Sequence, residues 1–326
     1  MWRLICCLFC SGALLGQADS TVLLVSADAY YRLASDAAPS PTFLALDHDA
    51  VTPGWLSVGV SHTTGRAGFT GQVAVGQRSE QFFPAPDFTA LRTAFAHYDL
   101  TDQLRLSAGY FPLYYGAELD DPYANDHYSN SYAYTNAPGG LAGAQAQYSL
   151  GEQTTAMLGL YNGAFTRRDP DGRKVVGGQL NHAAGPLFLS ASFLGGHAAG
   201  DFDFLVLDLL ATYEFSQRLR LDGEVVYQPY RLRGAGGTYY LSAVGYLRYR
   251  PAPPWTLALR SELLHEDSGF NFGRAATVAA LTATASFTNG PLRVFAEGRA
   301  DAGLPGRSGT VTGGLLGVAV LLEHGL

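Results

Sequence analysis

Hydrophobic and polar residues alternate with a period of two along most of the chain. In residues 255–265, Leu257 and Leu259 fall on one set of alternate positions, and Arg260 and Glu262 fall on the other. Such alternation is typical of β-strands that present one apolar face and one polar face. The same pattern recurs in residues 103–111, 218–228, 238–250 and 274–287. The chain is therefore predicted to be almost entirely β-structure.

Sixteen segments have this strand character. They are residues 21–33, 54–63, 66–77, 90–98, 103–111, 141–149, 153–163, 174–183, 186–196, 203–215, 218–228, 238–250, 255–265, 274–287, 291–301 and 313–323. A count of fourteen strands is also compatible with the pattern.

The connections between these segments alternate between short and long. The short ones are Thr64-Gly65, Leu100 to Asp102, Gly151-Glu152, Ala184-Gly185, Ser216-Gln217, Pro251 to Pro254 and Asn289-Gly290. The long ones are residues 34–53, 78–89, 112–140, 164–173, 197–202, 229–237, 266–273 and 302–312. This alternation is typical of an antiparallel up-and-down transmembrane β-barrel, with tight periplasmic turns and longer outer loops. A β-sandwich with Greek-key crossings has no reason to produce it.

The composition agrees with a barrel in a membrane. Of 326 residues, 47% are hydrophobic and only 15% are charged, and the 19 Tyr and 18 Phe exclude a disordered chain. No stretch approaches the roughly 20 apolar residues of a spanning helix. Because every backbone polar group in hydrocarbon must be paired inside the protein, a closed barrel is the remaining way to cross. A periplasmic or secreted sandwich or propeller is the alternative.

Aromatic residues near the ends of the predicted strands support the same conclusion. Amphipathic rings at the two headgroup levels form girdles around membrane barrels. The residues expected in these girdles are Tyr110, Tyr148, Tyr161, Phe193, Tyr213, Phe215, Tyr227, Tyr249, Trp255 and Phe287.

The N-terminus has the features of an export signal. A short basic start is followed by an apolar stretch from Leu4 to Leu15 and by the small-residue site Gly16-Gln17-Ala18. We therefore expect residues 1–18 to be a cleaved signal peptide and residues 19–326 to form a single barrel domain in the bacterial outer membrane. All three cysteines lie within the signal segment, which excludes a disulfide scaffold or a cysteine-ligated metal in the mature chain.

Other binding chemistries have weak sequence support. The formal net charge of −7 and the lack of a basic patch argue against nucleic acid. The run Asp47-His48-Asp49 is a short acidic loop cluster of the kind that is usually solvated, and we predict neither a metal site nor a cofactor. The expected partners are outer-membrane lipid, lipopolysaccharide and small hydrophilic solutes.

A barrel of about sixteen strands is too wide for side chains to fill, so an aqueous channel is expected. The longest loop, residues 112–140 between strands 5 and 6, has no Lys or Arg and contains four acids that we predict at the pore constriction: Glu118, Asp120, Asp121 and Asp126. The predicted basic pore wall consists of Arg92, Arg105, Arg220, Arg248, Arg250, Arg260, Arg293 and Arg299. If the loop folds inward, the two sets face each other and create a transverse field. Alternatively, the arginines pair locally with Asp222, Glu224, Glu262 and Glu297, and the loop is solvated.

The same loop carries a family resemblance. Residues 108–131 resemble a stretch of the OmpL-like β-barrel porin family of bacterial outer membranes, in which a strand ending Gly-x-Phe leads into Gly-x-Glu and an aromatic-Ser-x-Ser run. The matching positions are Gly109, Phe111, Gly116, Glu118, Asn125, Tyr128, Ser129 and Ser131, and Asn162-Gly163 is a second landmark. The resemblance implies an outer-membrane pore. Two departures are Asn130, where the family often has Arg, and the C-terminus Glu323-His-Gly-Leu326, which lacks a terminal aromatic. Either the assembly signal is atypical or the last strand is frayed.

The function predicted from the sequence is passive diffusion of small hydrophilic solutes or ions through a porin that is not an enzyme. By analogy with general porins of this size, a homotrimer is the expected assembly. One alternative is a non-conducting barrel for adhesion or envelope anchoring. The other is an outer-membrane lipid hydrolase, for which His127 and Ser129 are the only suggestive pair.

Overall fold

The chain forms a closed antiparallel barrel of sixteen strands in a computed structural model, which describes residues 17–38, 40, 42, 45–82, 90–164, 169, 172–198, 202–232, 236–267 and 274–325. The strands are β1 (Gln17–Ala34), β2 (Val51–Gly65), β3 (Ala67–Val75), β4 (Leu91–Asp99), β5 (Leu104–Phe111), β6 (Leu141–Ser149), β7 (Thr154–Tyr161), β8 (Val175–Ala184), β9 (Leu187–Ala198), β10 (Phe202–Glu214), β11 (Leu219–Leu232), β12 (Gly236–Tyr249), β13 (Trp255–Glu266), β14 (Ala276–Asn289), β15 (Leu292–Ala302) and β16 (Val311–Gly325). Each strand pairs with its neighbours in sequence, and β1 pairs with β16 to close the barrel.

All sixteen predicted strands are present, with differences at their ends. β1 begins at Gln17 and so includes the last two residues of the segment expected to be the signal peptide. At the other end of the chain, β16 extends to Gly325, which pairs with Val22 of β1. The last strand is therefore fully paired rather than frayed, although it lacks a terminal aromatic residue.

The alternation in sequence becomes an outer and an inner face. On β13, Leu257 and Leu259 are 44% and 40% exposed on the outside, whereas Arg260 and Glu262 are buried on the inside. Leu, Val and aromatic side chains dominate the exposed outer face of the other strands as well. Because this surface is apolar and the charges lie within, the barrel is suited to a lipid surrounding.

Tight turns close one end of the barrel. Gly185 and Gly290 adopt φ values of 58° and 57° in the two-residue turns after β8 and β14. A left-handed backbone in such a turn matches the twist of the flanking strands and favours glycine. The connection between β5 and β6, residues 112–140, leaves and rejoins the sheet at the opposite end.

Of the ten residues predicted in the aromatic girdles, eight have exposed or partly exposed side chains, whereas Tyr110 and Tyr161 are buried. Leu158 and Leu160 point outward, so the period of two directs Tyr161 into the barrel, where its ring lies 6.5 Å from that of Phe111. Tyr110 packs against the backbone at Gly140, where an added Cβ would lie 2.7 Å from its Cζ.

Short helices lie in the loops. α1 (Gln77–Phe82) occupies part of the segment predicted as loop 78–89, and α2 (Tyr132–Thr135) follows a 3₁₀ turn (Pro122–Ala124) within loop 112–140. Within the described ranges, no helix has the length and hydropathy that crossing a bilayer requires.

Candidate pore constriction

Loop 112–140 enters the barrel from the long-loop end and runs through its full depth. The Tyr123 hydroxyl donates a 2.8 Å hydrogen bond to the carbonyl of Gly290, which lies in the tight turn between β14 and β15 at the far end. On the way back, the Tyr132 hydroxyl donates to Asp301 near the outer end of β15. The segment is therefore a strap inside the barrel rather than a solvated outer loop.

The middle of the strap is held by Arg260 of β13, which is fully buried. Its guanidinium lies 2.7 Å from Glu118 of the loop and 2.8 Å from Glu262 of its own strand. It also donates 2.7 Å and 3.2 Å hydrogen bonds to the carbonyls of Ser129 and Asn130. One guanidinium thus joins the descending and ascending parts of the loop to the wall, using the planar fork that arginine provides.

The deepest acid, Asp126, lies among three guanidiniums near the tight-turn end. The distances from its carboxylate are 3.4 Å to Arg220, 3.6 Å to Arg293 and 4.0 Å to Arg248. Arg250 lies within electrostatic range of Arg248 and Arg293. This end of the lumen carries more positive than negative charge around the loop.

The other two loop acids differ from each other. Asp120 is paired with Arg92 of β4, and it accepts a 2.6 Å hydrogen bond from the Tyr134 hydroxyl. Asp121 caps the 3₁₀ turn by accepting from the Tyr123 N–H at 2.9 Å, and it has no ion pair within 4.0 Å among the described residues.

Five of the eight predicted wall arginines therefore contact the loop acids directly. Of the remaining three, Arg299 pairs with Asp301 and Glu262 at 2.9 Å and Arg105 pairs with Asp99 at 2.6 Å, both on the wall itself, and Arg250 completes the positive cluster. The alternative of local pairing occurs alongside, since Arg220 also lies 2.8 Å from Asp222.

Two further wall carboxylates accept hydrogen bonds from the loop backbone. Glu224 accepts from the N–H of Ala117 at 3.3 Å, and Glu297 accepts from the N–H of Tyr128 at 2.9 Å. Both had been expected, in the alternative interpretation, to neutralise arginines. Here they satisfy backbone donors of a buried segment, which would otherwise be costly to bury.

A fully buried ion pair of Arg78 was not predicted from the sequence. Arg78 of α1 lies 3.1 Å from Asp28 of β1, and both side chains are fully buried. The Tyr128 hydroxyl also donates to Asp28, and the Arg78 guanidinium lies 5.0 Å from the centre of the Tyr128 ring. The sequence signal for this pair is Asp28 itself, an acid at an inward position of β1. A buried carboxylate there requires a positively charged partner in the lumen.

Burial in the strap changes the pKa values of its titratable groups. Desolvation raises the pKa of Glu118, and the neighbouring Arg260 opposes that rise. Desolvation also lowers the pKa of His127 far below its usual range, and the positive charges of Arg260, Arg293 and Arg299 lower it further. His127 is therefore neutral at physiological pH, with its Nδ1 hydrogen-bonded to Thr284 at 2.7 Å.

The strap occupies much of the lumen. Many inward-facing residues of the wall are buried, among them Tyr30, Trp55, Leu141, Val175 and Phe295. Below it, at the tight-turn end, a partly exposed set of amide and hydroxyl side chains lines β6 to β8: Gln145, Gln147, Thr155, Gln179 and Asn181. Above it, a cavity of about 290 Å³ opens toward the long loops.

Comparison with known proteins identifies the family. The sequence profile described as "Putative beta-barrel porin-2, OmpL-like" matches residues 25–315. The chain belongs to this family. No curated protein is significantly similar to it in sequence.

Solved outer-membrane barrels share the fold of this OmpL-like porin. The anion-selective porin from Comamonas acidovorans is 13% identical, with a TM-score of 0.64 over 94% of this chain and 100% of that one. The DcaP channel of Acinetobacter baumannii is 14% identical, with a TM-score of 0.60 over 96% and 99%. The trimer form of OmpT from Vibrio cholerae is 10% identical, with a TM-score of 0.64 over 94% and 100%. Together with the family, these barrels place the protein in the bacterial outer membrane.

The two weaker candidate sites do not assemble. His127 and Ser129 are buried inside the porin, and Ser129 accepts a hydrogen bond from Arg260 rather than from His127. Asp47 accepts from Thr52 and Gln77, whereas Asp49 accepts from Tyr31. Among the residues placed by the structure, no group of three or more potential metal ligands is found.

Proposed function

We propose that this porin is a channel for small hydrophilic solutes in which loop 112–140 is the constriction. The observation that carries the proposal is the strap itself, which crosses the lumen of a sixteen-stranded barrel and is bonded to the wall along its whole length. Glu118, Asp120, Asp121 and Asp126 are its acidic residues, and five of the eight predicted wall arginines pair with them.

A transport role fits the interior better than an enzymatic one. His127 and Ser129 lie inside the barrel, where a membrane lipid has no access to them. A lipid hydrolase requires its nucleophile and base within hydrogen-bonding reach of each other and of the substrate. We therefore propose that the protein has no hydrolytic activity.

Conductance in planar bilayers tests the channel. Purified, folded protein is expected to insert as stable ohmic channels, and vesicles containing it are expected to swell in small polyols. Folding is verified by the β-rich circular dichroism spectrum and by heat-modifiable migration in gels. Folded protein that conducts no ions would overturn the proposal in favour of a non-conducting envelope barrel.

We also propose a homotrimer, assembled through the outer faces of β4 to β7. These strands have only eight or nine residues, against twelve to fourteen in β10 to β14. Their outer positions include Ala96, Ala108, Ala144 and Ala146, which line a shallow external groove of about 760 Å³. A low wall of small side chains permits close backbone approach by a second barrel, and a solved neighbour is described in a trimer form.

Replacement of a small groove residue tests this assembly. Ala144→Trp is expected to convert trimers into monomers, as measured by native mass spectrometry in detergent. Ala283→Trp, on the outer face of β14 away from the groove, is the matched control and is expected to leave the trimer intact. A wild-type protein that is monomeric at all concentrations overturns the assembly without affecting the channel.

Cleavage after Ala18 remains part of the proposal. Mass spectrometry of the protein from outer membranes is expected to show a mature N-terminus at Asp19. A mature chain that begins elsewhere would overturn the assignment of residues 1–18 as the signal peptide.

A further inference from the structure

The cavity above the strap contains two opposite charges that are not paired with each other. It is lined by the outer ends of β1, β15 and β16, and its volume of about 290 Å³ corresponds to roughly ten water molecules. Arg32 of β1 and Glu297 of β15 both line it, and both are more than nine-tenths buried. Buried charges are normally neutralised by a partner. The groups around Arg32 and Glu297 therefore show which of their atoms a ligand can contact.

Arg32 is held by neutral groups only. Its Nε donates to the Asp47 carbonyl at 3.1 Å, and its Nη2 donates to the carbonyls of Ala38 and Leu46 at 2.9 Å. Nη1 has no hydrogen bond to any described residue, and no carboxylate among them lies within 4.0 Å of the guanidinium. Asp36, Asp47 and Asp301 lie within electrostatic range of the guanidinium without forming a direct ion pair. The side chain is therefore fixed in position while one nitrogen remains available to the cavity.

Glu297 is held in the equivalent way. Its Oε2 accepts hydrogen bonds from the N–H groups of Tyr128 and Ser129 at 2.9 Å and 3.4 Å and from the Thr284 hydroxyl at 3.1 Å. In the described part of the chain, Oε1 accepts no hydrogen bond, and it is not among the fully buried oxygen atoms. The carboxylate is thus oriented by the strap, with one oxygen open.

The remaining charges of the cavity are already paired. Arg299 lies 2.9 Å from Asp301, and Arg307 pairs with Asp36. Arg32 and Glu297 are consequently cavity charges without a direct ion pair among the described residues, and a ligand can supply one to each.

The strand register fixes the spacing of these two groups. Arg32 and Glu297 both stand opposite Leu315 of β16, one on each side of it. Two strand spacings of about 4.8 Å place their Cα atoms roughly 10 Å apart. The floor between them is apolar, since Leu304, Val311 and Leu315 also line the cavity. A ligand that contacts both groups therefore carries a negative group, a positive group and an apolar part of modest size.

We propose that this cavity binds small zwitterions that carry one carboxylate and one ammonium group, the class of the α-amino acids. The ligand carboxylate accepts from Arg32 Nη1, its ammonium donates to Glu297 Oε1, and its side chain lies over Leu315. The inference rests on the proposed channel function, for which it names a solute class. Both contacts are charge-assisted hydrogen bonds, which are stronger than neutral ones.

Calorimetric titration of the folded full-length protein in detergent tests the site. L-Alanine is expected to bind at least tenfold more tightly than N-acetyl-L-alanine, which lacks the ammonium group, or L-alaninamide, which lacks the carboxylate. Glu297→Gln is expected to reduce the affinity for L-alanine at least tenfold. The variant is then expected to bind L-alanine and N-acetyl-L-alanine equally well. Arg32→Gln is expected to bind L-alanine and L-alaninamide equally well. Glu152→Gln, an exposed carboxylate on the turn between β6 and β7, is the control and leaves affinity unchanged.

Equal affinity for alanine and its two analogues, or no binding of alanine at millimolar concentration, overturns the proposal. If Arg32→Gln does not fold, Glu297→Gln decides alone, because its amide oxygen can still accept from Tyr128. Conductance in potassium chloride is measured on the same preparations. Protein that conducts but binds no alanine overturns only the site. Protein that binds alanine but does not conduct overturns only the channel.

Discussion

At the scale of single residues, the charge of Arg260 serves to hold the strap to the barrel wall. It is fully buried and within 2.8 Å of two carboxylates, Glu118 and Glu262. Taking an arginine out of water has a large desolvation cost, which is recovered only when its donors are all used. Contacts to Ser129 and Asn130 complete that set, so Arg260 fixes the strap to β13.

Removing this guanidinium leaves the buried carboxylate of Glu118 without a direct ion-pair partner, whereas Glu262 keeps Arg299. Arg260→Met is therefore expected to lower the free energy of unfolding by about 3 kcal/mol, as measured by urea titration in detergent. Arg66→Met is the matched control, because Arg66 pairs with Asp102 at 2.9 Å in an exposed turn. That variant is expected to change stability by less than about 1 kcal/mol. Similar losses for the two variants would contradict the anchoring role of Arg260.

His127 gives the strap a pH dependence with a definite sign. Burial and three nearby arginines lower its pKa in the folded protein, whereas the unfolded chain titrates near 6.5. Below this pH the unfolded chain binds a proton that the folded protein does not, so stability falls as pH falls. Wild-type protein is expected to lose unfolding free energy between pH 7 and pH 5 relative to His127→Gln. An unchanged difference between the two proteins across this range would show that His127 is not neutral in the fold.

At the scale of elements, the strands were predictable and the contents of the lumen were predictable only in part. Period-two alternation is a local property, and residues such as Leu257 and Arg260 identify the two faces without knowledge of partners. The inward position of strand residues such as Arg260 and Glu262 followed from the same pattern, whereas the inward path of loop 112–140 did not. The pairing of acids with arginines depends on residues far apart in sequence, such as Glu118 and Arg260. Local sequence patterns therefore do not predict it.

Irregular elements were not predicted for a related reason. α1 is only six residues long, and its position depends on the Arg78–Asp28 pair. That pair in turn requires glycine at position 54, where a Cβ would lie 2.6 Å from Cγ of Asp28. A register shift between β1 and β2 occurs at this same place. Tertiary packing determines a bulge of this kind, so it cannot be predicted from Gly54 or Arg78 alone.

The strap as an element carries the charge balance of the tight-turn end. Asp126 lies within 4.0 Å of Arg220, Arg248 and Arg293. Asp126→Asn removes one negative charge from this cluster and is expected to shift the reversal potential toward anion selectivity in a salt gradient. Asp102→Asn, in the exposed turn after β4, is the control and is expected to have no effect. Unchanged selectivity in Asp126→Asn would mean that ions do not pass this cluster.

At the scale of the whole molecule, the strap divides the lumen into two compartments. The cavity above it ends at Ser129 and Glu297, and the amide-lined region below it ends at Tyr114. Many inward-facing residues between them are buried, whereas Gly109 and Gly143 are partly exposed. We expect conduction of solutes larger than water to require movement of the strap relative to the wall.

A reversible cross-link tests this requirement. A Cβ at Gly317 of β16 would lie 2.9 Å from Cγ of Tyr128, one bond from the Tyr128 Cβ, and a disulfide between cysteines at the two positions is within reach. The other cysteines all precede residue 11, in the segment expected to be cleaved. Oxidised Tyr128→Cys/Gly317→Cys is expected to lose most of its conductance for polyol-sized solutes and to recover it on reduction. Tyr128→Cys alone should conduct equally in both conditions. An oxidised double variant that conducts like its reduced form would identify the strap as a fixed constriction, with solutes passing beside it.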